Sequence, residues 1–146
     1  MNLAFLRHHW AHWREEDLDR MLNALRTAGL PEWPTGYDTA SWERLDGTAI
    51  KDLLFGRVWI GRNQNYGKVF GQWTNESGAV AYRQFGRKWE GKVSVEGDSL
   101  CYQIPALLLS RKFCGNVYRN PDGSPEERNE YVSVDVFDIH HFSLKE

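Results

Sequence analysis

The chain has 146 residues, enough for one ordinary domain with a real core and too few for two full domains. Its 18 basic residues are offset by 20 acidic ones to a net charge of −2, which leaves no basic footprint for nucleic acid or an anionic membrane surface. The longest apolar run, 106–109, falls far short of the ~20 residues of a membrane-spanning helix, and the N-terminal stretch lacks a signal-peptide layout, so a cytoplasmic protein with no nucleic-acid or membrane partner is expected.

Residues 1–30 carry Leu3, Leu6, Trp10 and Trp13, then Leu18, Met21, Leu22 and Leu25, at three- and four-residue spacing with a break near 13–16. Glu15, Glu16 and Asp17 suit the first turn of a second helix, Arg26 suits its last, and Gly29 with Pro31 is a stop signal. This predicts a helical hairpin. Two helices of about a dozen residues are marginal alone in water. Leu6, Trp10, Trp13, Leu22 and Leu25 are therefore candidate partner-binding residues, resting on the rest of the chain, another protein or a second copy in a homodimer. Residues 31–47 are rich in turn formers and read as a connector carrying Trp33, Tyr37 and Trp42 across a surface. Thr48 is placed to cap a short helix through Leu54, ended by Gly56.

From Arg57 the period changes to two, with strands expected over 57–63, 68–75, 79–85, 88–96, 112–119, 129–135 and 138–144, and one following Gly97-Asp98. That dipeptide is a two-residue hairpin loop; pairing Glu96 with Ser99 sets Val95 opposite Leu100 and Val93 opposite Tyr102. Folding back again sets Tyr102 against Phe113 and Cys101 against Cys114, with both cysteines on the outward face. The pair is open to three readings: reduced neighbours, a disulfide, or reactive or metal-binding thiols. Pairing Asn75 with Gly78 sets Trp73 against Val80 and Gly71 against Tyr82. The candidate inner lining is thus Trp73, Tyr82, Trp89, Val93, Tyr102 and Phe113, with Gly71, Gly91 and Gly115 on the same faces.

About eight antiparallel strands in sequence order close most easily into an up-and-down barrel, an open sandwich being the alternative. The expected fold is mainly β: a barrel over 48–146, a connector over 31–47 and a helical hairpin over 1–30.

His8 and His12 lie four apart without a third ligand, and His140 and His141 point to opposite faces of the last strand, so no metal site is assigned. The sequence holds no nucleophile elbow, phosphate loop, zinc-protease helix or C-x-x-C motif, and Asp46, Asp98 and Asp122 each sit beside glycine at an expected turn. No catalytic residue and no cofactor are assigned.

"LLFGRVW" and "KWEGKVSVEGDSLCYQI", with the later "FCGNVYRNPDG", resemble small bacterial lipocalin-like domains over residues 48–144. "ALRTAGLPE" is similar to the end of the tetratricopeptide array in bacterial class III adenylate/guanylate cyclases, some of which continue into a barrel-like region with endings close to "YRNPDGSPEERNEYV" and "HHFSL". The resemblance implies a C-terminal, non-catalytic region of a cyclase-type signalling protein, with a cyclase as the partner of the N-terminal helices: the chain has no room for a cyclase domain and less than one 34-residue repeat. The expected function is a sensory or regulatory barrel binding a small, largely apolar molecule. A solid-cored protein interaction module and a small barrel enzyme are the rivals, and a cavity, or perturbed acids inside one, discriminates among them.

Overall fold

Strict alternation of apolar and polar residues makes each strand one-sided, and the sheet buries that side by closing on itself. The computed structural model describes residues 1–32, 42–65, 67–107 and 110–146, without the His8 side chain. The expected Trp33 and Tyr37 of the connector lie outside these residues, as does Leu108. Among the described residues the elements are α1 (Leu3–His9), α2 (Glu15–Thr27), β1 (Glu43–Arg44), α3 (Gly47–Leu54), β2 (Arg57–Asn63), β3 (Val69–Thr74), β4 (Ala79–Gln84), β5 (Arg87–Glu96), β6 (Ser99–Gln103), β7 (Phe113–Arg119), β8 (Tyr131–Val134) and β9 (Ile139–Leu144).

Strands β2 to β7 pair each with the next, β2 also pairs with β9, and β7–β8 and β8–β9 pairing closes an eight-stranded antiparallel barrel. The two-residue strand β1 lies outside the ring on β7. It falls in the expected connector, where no alternation marks it. Behind it Trp42 packs against an outer cluster of Tyr118, Val132, Val134 and Ile139.

Helix α3 plugs one end of the barrel. Asp46, and not Thr48, is its N-cap, accepting from the Ala49 N–H at 2.8 Å. Ile50 and Leu54 are fully buried with Trp59, Val93, Leu100 and Phe142. The Gly47 N–H donates to Asp98 Oδ1 at 2.9 Å, fastening the helix to the β5–β6 turn.

The hairpin of α1 and α2 buries its stripe largely in itself: Leu3, Leu6, Leu18 and Leu22 form one cluster, with Trp10 and Leu25 partly buried at its edge. Leu6 and Leu22, expected as partner contacts, are 2 % and 1 % exposed, because two short antiparallel helices satisfy each other's apolar faces first. The hairpin meets the barrel at the β8–β9 turn, where Asn2 Nδ2 donates to the Val136 carbonyl and Phe5 packs edge-on against Phe137 at 5.8 Å.

The β5–β6–β7 register is the expected one, with Glu96 opposite Ser99, Val93 opposite Tyr102 and Cys101 opposite Cys114. The two cysteines form a disulfide. Although Glu96 lies with both sulfurs within 4.8 Å, the sulfurs are bonded to each other and Glu96 pairs with Lys112.

The β3–β4 register differs from the expectation by one residue. The Asn75 side chain accepts from the Ser77 and Ala79 N–H groups, and Gly78 takes a positive φ of 87°, so the loop holds three residues and Trp73 pairs with Ala81. A one-residue slip exchanges the faces of a strand. Trp73 consequently points outward and is 50 % exposed, while Gln72 and Thr74 point inward and are buried. Gly71 likewise belongs to the outer face, paired with Ile60 and Arg83.

Candidate functional site

A cavity of about 530 Å³ occupies the end of the barrel opposite α3. Its walls are rings carried by different strands: Trp59, Phe70, Tyr82, Trp89, Tyr102 and Phe113. Phe70 stacks on Tyr82 with centroids 5.3 Å apart, and Tyr102 on Phe113 at 5.5 Å. Trp59 forms the floor, where it stacks on Phe142 at 3.9 Å and its indole N–H donates to the Leu53 carbonyl in the last turn of α3. Of the expected lining residues, Tyr82, Trp89, Tyr102 and Phe113 come together here. Val93 is buried among the core residues packed with α3 and does not line the cavity, and Trp73 lies on the opposite face of its strand. Trp13, 38 % exposed, stacks on Trp10 at the surface of the helical hairpin.

The sequence places the Tyr82 and Tyr102 hydroxyls in the cavity but not the polar side chains they meet, Asn63 and Gln72, nor Gln84 beside Asn63. The Tyr102 hydroxyl donates to Gln72 Oε1 at 3.0 Å, and Gln72 Nε2 has no partner. Asn63 Nδ2 donates to the Tyr82 hydroxyl at 3.2 Å, and Gln84 Nε2 donates to Asn63 Oδ1. Burial pushes both tyrosine hydroxyls far above the ordinary phenol range, so they remain neutral hydrogen-bonding groups.

The β8–β9 turn, "DVFD", supplies two buried carboxylates to the same cavity, Asp135 and Asp138. Asp135 Oδ1 accepts from the Phe137 and Asp138 N–H groups at 2.8 and 3.2 Å. Asp138 Oδ1 accepts from the N–H groups of Ile139 and Asn65 at 2.7 and 3.1 Å, tying this turn to the segment after β2. Asp138 Oδ2 has no partner. His140 faces inward between the edges of Phe70 and Tyr82, with Nδ1 3.8 Å from Asp135 Oδ2. His141 bonds Gln64 across the neighbouring strand, and burial lowers its pKa.

Burial raises the Asp135 pKa, opposed by the nearby His140 and the two backbone N–H groups. A carboxyl whose native pKa is raised contributes stability that is fully present below its unfolded pKa and lost as pH rises through the native one. Asp135→Asn keeps an oxygen for both N–H groups and removes the buried charge. The variant is expected to be more stable than wild type at pH 8 by about 1 kcal/mol or more, with the difference shrinking toward pH 4. Urea denaturation at both pH values checks this; a variant weaker than wild type at pH 8 would mean that pairing with His140 outweighs desolvation.

The chain matches no protein-family profile, no curated protein and no solved structure.

Proposed function

We propose that the barrel is a container for a small molecule with a flat, largely apolar body. The carrying observation is the cavity of about 530 Å³ walled by aromatic rings from six strands, a volume within the range of small-molecule sites and well above any packing defect. A solid-cored interaction module has no use for such a hollow. The sensory role follows only from the sequence resemblance to cyclase-associated regions, with the helical hairpin and its surface Trp10–Trp13 pair as the face toward a signalling partner. No described helix is long and apolar enough to cross a membrane. The Cys101–Cys114 bond weighs against the expected cytoplasmic placement, since disulfides persist mainly in oxidising compartments.

The test uses tryptophans of known position. Titration with the neutral fluorophore N-phenyl-1-naphthylamine is expected to quench Trp89, which lines the cavity, and to spare outward-facing Trp73. Trp89→Phe should therefore remove a large part of the quenching, leaving that of Trp59 on the cavity floor, and Trp73→Phe almost none. Saturable quenching lost in Trp73→Phe and kept in Trp89→Phe would place the binding outside the barrel and reject the container.

One observation favours acid–base catalysis as a second reading: His140 and Asp135 face the same cavity 3.8 Å apart, beside the Tyr82 hydroxyl.

A further inference from the structure

We propose that the cavity selects a cationic amine: an ammonium held at Asp138 Oδ2 and the Asp135 carboxylate, on a ring-bearing body whose acceptor atom meets Gln72. This rests on the container reading and adds the chemistry of the occupant. Among the described residues just two buried side-chain polar atoms lack a hydrogen-bond partner, Gln72 Nε2 and Asp138 Oδ2, and both residues line this cavity. Gln72 is 3 % exposed and Asp138 1 %.

An unpaired buried polar atom is costly, so two of them in one hollow describe what fills it. A carboxylate oxygen accepts only, and its complement is a donor. With Gln72 Oε1 accepting from the Tyr102 hydroxyl, Nε2 keeps unpaired N–H groups, and the complement there is an acceptor. The donor end is a cation for two further reasons. Asp135 adds a second acid to the same hollow, its Oδ2 3.8 Å from His140 Nδ1, while Arg87, the other basic residue of the lining, stands at the exposed start of β5. The rings of Phe70, Tyr82 and Trp89 line the same cavity, and an aromatic face attracts an ammonium more strongly than a neutral hydroxyl. Asp138 does hold a loop through Oδ1, but that role leaves Oδ2 unused.

The experiment compares three probes of one shape on the wild-type protein by calorimetry: tyramine, its neutral alcohol tyrosol, and the anion 4-hydroxyphenylacetate. Tyramine is expected to bind about tenfold or more tighter than tyrosol, as a charge-assisted hydrogen bond warrants, with 4-hydroxyphenylacetate weakest. Asp138→Asn, which retains the Oδ1 acceptor, should abolish the preference for tyramine over tyrosol. Tyrosol binding as tightly as tyramine, or the anion binding best, overturns the amine assignment. If N-phenyl-1-naphthylamine still enters the barrel in that case, the container reading stands without it; if neither the fluorophore nor any probe binds, both fall.

Discussion

Gly61→Ala is expected to open the barrel at the β2–β9 seam. A methyl group on Gly61 would overlap the His141 carbonyl on the neighbouring strand, and the obstacle is backbone, which no rotamer change relieves. Gly91 and Gly115 stand in the same relation to the Gln103 and Val134 carbonyls. All three face inward, where strands coil sharply over one another, and the lack of a side chain serves the bend more than the volume of the hollow. The expected cost of Gly61→Ala is about 3 kcal/mol, the upper end of overpacking, or a fall in Tm of about 10 °C. Gly71 is the control. The nearest atom to an added methyl there is the Trp59 carbonyl oxygen at 3.9 Å, so Gly71→Ala should be neutral or slightly stabilising through the unfolded state. Equal effects of the two substitutions in thermal unfolding would show that close strand approach is not what requires Gly61.

How far the sequence reveals this architecture depends on what fixes each turn. The Gly97-Asp98 loop has one economical closure, so the β5–β6 register and the inward set Trp89, Val93 and Tyr102 follow from it. The loop after Asn75 has two, and the outcome turns on an asparagine side chain bonding two residues and four residues on. Misplacing it by one residue puts Trp73 inside and hides Gln72, which is why that polar lining residue is invisible to period-two reasoning. The acids are missed for a different reason. In "DVFD" the turn chemistry lies in the flanking aspartates, whose carboxylates take up backbone N–H groups, while the turn itself is apolar. Two aspartates bracketing an apolar dipeptide between strands is the signal that would have found them. The helical hairpin is legible as a pair of helices, but the spacing of its leucines does not say which neighbour covers them.

Trp59→Ala is expected to have the other large effect, because that residue joins the plug, the seam and the floor of the cavity. Its ring is 2 % exposed and stacked on the fully buried Phe142 of β9, while its indole N–H supplies a donor to the Leu53 carbonyl, one of those left open at the C-terminal end of α3. Truncation forfeits the burial and the stack and leaves a void against an existing hollow, at an expected ~3–5 kcal/mol. Trp59→Phe keeps most of the ring and loses only the hydrogen bond, at an expected ~1 kcal/mol. Trp73→Ala, on the outer face at 50 % exposure, should stay within ~0.5 kcal/mol of wild type. Urea unfolding of the three variants separates the contributions. The stretch "LLFGRVW" contains Gly56 and Trp59, and the geometry supplies a physical reason for both: Gly56 turns the chain out of α3 at a φ of 69°, and Trp59 reaches back to hold the helix end that the turn exposes. A Trp59→Ala variant as stable as wild type would remove α3 as the stopper of the barrel, and with it the account of why the cavity is closed at that end.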